Sequence, residues 1–416
     1  MELTAKTFKG IFTPLNNRNL SVYLSGQTIS LLGTFMQATA QSWVVWQVSH
    51  STVSLGITAM IGALPMLILG PFVGAWADRL DRRKILVGTQ ITAMILAFIF
   101  AILLQTNLIQ IWHIYILSAA LGCVSALDLP TQSAFIGDLS GNDQVRSAVA
   151  LNGMVMQASR MVGPALAGWV MGSFGVAVAF WLNGASFIAV VLSLLIARAH
   201  QVSGSSGNKK GGQMKEAFRF VAQEPRILDL LILSFILSFF GLSAGQLLPA
   251  IVTDTLHSGA EMLGIITGAS GAGALVSSFL ITPLVQRIQK PGWLIAGALI
   301  WIGVWFAIEV FAGSVWVWVA GVFLGSLAAP IVNITCNGLI QITAPANIKA
   351  RILSLWMMVS FGMMPFGFLV VGFSGNLLGA PLAVVVNGLV LILGAGALLI
   401  IRPGLRSWQP QAVEIE

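Results

Sequence analysis

Gly74-Ala75-Trp76-Ala77-Asp78-Arg79-Leu80-Asp81-Arg82-Arg83-Lys84 joins two apolar runs, 52–77 and 85–105, and crowds four bases into its last six positions. So basic a stretch does not sit in hydrocarbon. The run on either side is about the ~20 residues that a helix needs to cross it. The stretch therefore reads as a loop at one face of a membrane. Working outward, further apolar runs lie at 20–47, 110–138, 145–172, 175–197, 226–253, 260–284, 292–312, 315–342, 350–376 and 380–402, which makes twelve in all.

The bases fix the orientation of this ladder. Of the 21 Lys and Arg, all but Arg160 fall in the N-terminal tail, in alternate loops, in the middle linker or in the C-terminal tail. The intervening loops carry none and are short, such as Ser49-His50-Ser51 and Ala312-Gly313-Ser314. Cytoplasmic loops retain Lys and Arg, so both termini are expected in the cytoplasm and the number of spans is even. A composition of 57% hydrophobic and 8% charged residues excludes an ordinary soluble domain. The net charge of +7 follows from the bases at span ends, which would face anionic lipid, so no nucleic-acid partner is expected. The first 19 residues are polar and mixed and do not read as a removed signal peptide. Cys123 and Cys336 both fall inside spans and suggest no disulfide.

The chain reads as two halves. Leu55-Gly56-Ile57 recurs as Leu263-Gly264-Ile265 and Arg79 as Arg287, both at an offset of 208; Arg146 matches Arg351 at 205; Asn183-Gly184 matches Asn387-Gly388 at 204. A slowly drifting offset is what a duplicated six-helix unit with loop insertions gives. The expected domains are an N-terminal six-helix bundle over 1–198, a linker over 199–225 and a C-terminal six-helix bundle over 226–416. The linker opens with flexible Gly and Ser. It continues into Gln213–Ala222, where Met214, Ala217, Phe218 and Val221 recur at helical spacing; the stretch reads either as a short amphipathic helix on the cytoplasmic face or as the entry to span 7.

The loop quoted first resembles the signature G-x-x-x-D-R-x-x-R-R of the major facilitator superfamily. Asp128-Leu129-Pro130-Thr131-Gln132, Leu151-Asn152 and Arg160-Met161-Val162-Gly163-Pro164-Ala165-Leu166-Ala167-Gly168 add a likeness to its enterobactin-exporter-like branch, which includes siderophore exporters and macrolide and drug efflux proteins. That branch commonly has Arg where this chain has Gln132. The resemblance spans essentially the whole chain and implies an all-α membrane protein of the major facilitator fold, with two pseudo-symmetric six-helix bundles. It implies a gate built from Gly74, Asp78, Arg79, Arg82 and Arg83, with Asp78 at the N-terminus of another helix, that of span 11. Gly163, Pro164 and Gly168 resemble the span-5 packing motif of drug:proton antiporters. The implied activity is export of a small amphipathic molecule, siderophore or drug-like, in exchange for protons across the bacterial inner membrane. An importer or uniporter of the same fold, or a transport-inactive receptor-like protein, is the alternative reading.

Asp128 and Arg160 carry whatever chemistry the spans hold. Asp128 lies ten residues inside Asp138, about 15 Å along a helix, and Arg160 lies fourteen inside Arg146, about 21 Å. A charge at mid-bilayer costs ~2.5 kcal/mol or more, so each needs a partner or a water-filled cavity. An ion pair between them is the economical arrangement. It would be either a proton-coupling site, where desolvation and pairing compete, or a static packing pair. Gln37, Gln41, Gln132, Asn152, Gln246, Asn333 and Asn337 form a polar set on spans that the resemblance places around a cavity; ordinary interhelical hydrogen bonds are the plainer alternative for each. Trp43, Trp46, Trp112, Trp316 and Trp318 suit an interfacial belt. No metal-ligand spacing, phosphate loop or nucleophile triad appears, so neither a cofactor nor an enzyme activity is expected. The expected partners are a small-molecule substrate, protons and lipid, with the protein as a monomer.

Overall fold

The structure, a computed structural model, describes residues 13–77, 81–141, 144–197, 213–282 and 290–407. Twelve long helices occupy the twelve apolar runs: α1 (Arg18–Ser49), α2 (Thr52–Ala77), α3 (Arg82–Gln105), α4 (Ile111–Ser140), α5 (Val145–Phe174), α6 (Val176–Ile196), α7 (Pro225–Thr255), α8 (Ala260–Ile281), α9 (Pro291–Ala312), α10 (Val315–Thr343), α11 (Lys349–Leu378) and α12 (Ala380–Ile401). Among the described residues, ten of them are long and apolar enough to cross a membrane by length and composition. The other two, α1 and α6's predecessor α5, reach 32 and 30 residues but carry the polar load, with Gln27, Gln37 and Gln41 on one and Asn152, Gln157 and Arg160 on the other. A further helix covers Gln213–Gln223 in the linker. There Ala217 and Val221 are buried, whereas Phe218 stays half exposed.

The helices begin and end where backbone chemistry directs. Asn17 caps α1, its side chain accepting from the amides of Asn19 and Leu20, and Asp81 caps α3 by accepting from Arg83 N at 3.0 Å. Gly175 and Gly379 take positive φ between α5 and α6 and between α11 and α12, where the chain reverses without room for a longer loop.

The helices gather into two compact units. The first comprises Met1–His50, Ile61–Gly207 and Ser258–Gly268. In it α1 lies along α5 and α6, and α3 along α4 and α6. Its core includes Leu20, Tyr23, Leu24, Phe135, Ile136 and Val190. Gly33 lets α1 approach α6: a Cβ there would lie 2.5 Å from Asn183 Oδ1. The second unit comprises Ser51–Met60, Asn208–His257 and Ala269–Glu416. In it α9 lies along α12 and α10, over a core that includes Leu233, Leu299, Val332, Ile352 and Leu391. Thr52 at the head of α2 donates to Gly372 O of α11 at 2.8 Å within this unit.

The helices of the second unit are interrupted. α7 passes from α-helix into a π turn at Leu237–Gly241, a 3-10 turn at Leu242–Leu247 and a second π turn at Ile251–Thr255. Gly241, Gly245 and Pro249 lie in this stretch, and such residues release backbone bonds that an α-helix would otherwise hold. α11 breaks at Met363, ahead of Pro365.

The tryptophans depart from the expected belt. Trp112 and Trp316 are exposed, but Trp43, Trp46 and Trp318 are buried within the protein. Position near a helix end is set by sequence, whereas the face a ring takes is set by packing.

Candidate functional site

Asp128 projects from α4 toward α3, and α3 answers it with two donors. Thr89 Oγ1 donates to Asp128 Oδ1 at 2.5 Å, and Gln90 Nε2 donates to the same oxygen at 3.0 Å. Both donors are buried. From α1, the Tyr23 hydroxyl contacts Gln132 and stands close to Asp128, while its ring meets Phe135 edge-on at 5.2 Å. Thr89 and Gln90 of α3 and Tyr23 of α1 thus place neutral polar groups beside the carboxyl from two helices.

The expected ion pair with Arg160 is not formed. Arg160 lies on α5, is exposed, and makes no ion pair or hydrogen bond among the described residues. Neutral donors from α3 take the place on Asp128 that the guanidinium was expected to fill. Thr89, Gln90 and Tyr23 were not singled out from the sequence. The signal for two of them was present: Thr89-Gln90 is a polar pair inside a largely apolar span, five and six residues beyond Lys84.

The polar set divides when placed in three dimensions. Asn183 Nδ2 of α6 donates to Gln37 Oε1 at 2.7 Å, and Gln37 is buried. Gln41 Nε2 instead donates to Ser118 Oγ of α4 at 2.8 Å. Gln37 and Gln41 therefore serve helix contacts inside the first unit. Asn152 Oδ1 and Asn333 Oδ1 are buried without a partner among the described residues. Asn333 Nδ2 donates to Ala329 O at 3.3 Å, Gln341 Nε2 donates to Asn337 Oδ1 at 2.5 Å, and Gln246 is half-buried.

The basic loop makes specific contacts at helix ends. Arg82 Nη1 meets both oxygens of Asp138, at 2.7 and 2.8 Å, near the end of α4. Arg83 Nε donates to Leu194 O at 2.6 Å and its Nη2 to Leu195 O, two carbonyls in the last turn of α6. Helix C-termini leave such carbonyls unpaired and carry partial negative charge, so an arginine there satisfies both. Asp78 and Arg79 lie outside the described residues, and Gly74 falls within α2.

Gly163 and Gly168 admit close neighbours to α5. A Cβ on Gly163 would lie 2.6 Å from Phe35 Cβ of α1, and one on Gly168 would lie 2.8 Å from Glu261 O of α8. Pro164 sits between them inside the helix, and its carbonyl lies where a Cβ on Gly264 would come within 2.5 Å. Two acids outside this cluster are also buried. Asp229 of α7 pairs with Arg402 at 3.4 Å, and Glu309 of α9 lies against Gly321 of α10, its Oε1 without a hydrogen-bond partner. Among the described residues no cluster of His, Cys, Asp and Glu could hold a metal ion.

The helical framework has known counterparts. A bacterial homolog of the human lysosomal transporter Spinster, solved in an inward-facing, unoccupied conformation, matches with a TM-score of 0.74 at 13% identity, over 96% of this chain and 99% of that one. The protein therefore has the all-helical membrane-protein fold of the major facilitator class. Within that class it belongs to the transmembrane secretion effector family, whose sequence profile matches residues 9–414. It is 26% identical over 395 residues to the uncharacterized MFS-type transporter YfiS of Bacillus subtilis, covering 91% of this chain and 92% of YfiS. It is 25% identical over 418 residues to the enterobactin exporter EntS of Citrobacter koseri, covering 99% of this chain and 95% of EntS.

Proposed function

We propose that this secondary transporter exports a small amphipathic molecule, siderophore or drug-like, across the bacterial inner membrane in exchange for protons, with both termini in the cytoplasm. The observation that carries the reading is Asp128. It is a carboxyl deep in α4, held by Thr89 and Gln90 rather than neutralised by a cation. Such a group can gain and lose a proton without breaking an ion pair. Arg160 is the complementary feature, a guanidinium deep in α5 that needs water or an anionic group of the substrate beside it. The enterobactin exporter among the relatives supports the outward direction and the substrate class.

In this reading the linker 199–225 joins the bundles 1–198 and 226–416, and proton and substrate shift the populations of the open states by differential affinity. The basic loop with Asp78, Arg79, Arg82 and Arg83 steadies one of those states, with Gly74 letting the helices close. Gln132, Asn152, Gln246, Asn333 and Asn337 contribute polar groups toward the substrate. The protein works as a monomer. Cells carrying the transporter are loaded with a panel of siderophores and drugs, with and without an uncoupler. Lower accumulation that the uncoupler abolishes is the expected result; accumulation unaffected by the transporter, or unaffected by the uncoupler, counts against the reading.

A further inference from the structure

Thr89 has one hydroxyl hydrogen and two acceptors in reach. Its Oγ1 lies 2.9 Å from the carbonyl oxygen of Leu86, one turn back on α3, and 2.5 Å from Oδ1 of Asp128. A hydroxyl donates to one acceptor at a time but accepts through its own lone pairs. The geometry therefore fits two hydrogen arrangements. With Asp128 ionised, Thr89 and Gln90 both donate to Oδ1. With Asp128 protonated on Oδ1, the acid hydrogen is donated to Thr89 Oγ1, and the hydroxyl hydrogen of Thr89 turns to Leu86 O. One proton enters, one O–H bond forms on Asp128, and Thr89 keeps its own hydrogen.

We propose that Thr89 and Gln90 are the positioning residues that set the proton affinity of Asp128, and that the Thr89 hydroxyl turns between Asp128 and Leu86 as the carboxyl loses and gains its proton. This rests on the assignment of Asp128 as the proton carrier. Thr89 and Gln90 are each 6% exposed, so little water competes for the carboxyl from their side. Gln90 Oε1 is buried without a partner among the described residues, which leaves the contact to Asp128 as the bond that orients this amide.

Among the described residues no charge competes for the role. The helices closely packed on α4 are α1, α2, α3 and α5, and α2 carries no titratable side chain over Thr52–Ala77. Tyr23 is the titratable group from them that stands near Asp128. Arg18 on α1 and Arg82, Arg83 and Lys84 on α3 lie at the first turns of their helices, as does Arg146 on α5, and Arg160 makes no ion pair with Asp128. On α4 itself His113, Tyr115, Cys123 and Asp138 lie at least a turn away.

The test needs no substrate. Purified protein in lipid nanodiscs is titrated by infrared difference spectroscopy, following the carboxylic-acid carbonyl band that Asp128→Asn removes. Thr89→Val and Gln90→Leu each withdraw a hydrogen bond that is stronger to the ionised carboxylate than to the neutral acid, so each should move the midpoint of that band to higher pH by about one unit. Thr89→Ser, which keeps the hydroxyl, should leave the midpoint near wild type. Gln90→Leu stands as the independent variant should Thr89→Val misfold. A midpoint unchanged in both variants while Asp128 still titrates overturns this inference alone. A spectrum with no Asp128-dependent band sinks the proton-carrier reading beneath it.

Discussion

Asp138, near the end of α4, receives Arg82 from the start of α3 with Nη1 placed 2.7 Å from Oδ1 and 2.8 Å from Oδ2. The pair is largely buried, with side-chain exposures of 16% and 7%. Removing one partner leaves the other charge poorly solvated. Arg82→Gln and Asp138→Asn should each destabilise the protein by about 3 kcal/mol, and the double variant by less than the sum of the two. Thermal unfolding in detergent across the four proteins reads this directly; strictly additive losses would show that the contact contributes nothing as a pair.

The separation of Asp128 from Arg160 changes what a double variant should do. A static pair would be rescued by removing both charges. With Thr89 and Gln90 on Asp128 and no ion pair to Arg160, Asp128→Asn should abolish uncoupler-sensitive export while folding stays intact, and adding Arg160→Gln should not restore it. Recovered export in the double variant would return Asp128 to a packing role.

Gly33 and Gly88 make a matched comparison. A Cβ at Gly33 would meet Asn183 Oδ1 at 2.5 Å, next to the Asn183–Gln37 hydrogen bond, whereas one at Gly88 meets nothing within 4 Å. Gly33→Ala should cost about 1–3 kcal/mol through overpacking. Gly88→Ala should be neutral or stabilising by up to ~1 kcal/mol through helix propensity. Equal melting temperatures for the two variants would argue against the tight α1–α6 crossing.

Orientation is open to labelling. A cysteine at Ser205, in the basic linker, should react with an impermeant thiol reagent only from the cytoplasm, and one at Ser314, between α9 and α10, only from outside. Labelling of the Ser205 variant from the periplasm would reverse the assignment.

Span positions were legible because they depend on runs of side chains along one dimension. The run 226–253 became α7, and 315–342 became α10, within a residue or two at each end. Rotation about each helix axis was not legible. Each residue turns the helix by about 100°, so which neighbour a polar group meets depends on packing that no single segment encodes. Gln37 and Gln41 sit one turn apart, yet one bonds α6 and the other α4. Asp128 was expected to meet the charge on the next helix and instead met two neutral residues on the previous one. Trp318 lies near the start of α10, where a belt residue belongs, but its ring is buried. The irregular turns of α7 were signalled by Gly241, Gly245 and Pro249, though apolar length alone hides them.

Arg83 reaches carbonyls at Leu194 and Leu195, more than a hundred residues further along the chain. During synthesis the loop before α3 therefore emerges long before its acceptors exist. Its guanidinium has to wait, hydrated or on lipid phosphate, while α4 and α5 are made. Only when the last turn of α6 arrives can the arginine close onto it. Completion of the first six helices thus carries its own late step, and a chain truncated before Leu194 should remain sensitive to protease at that loop.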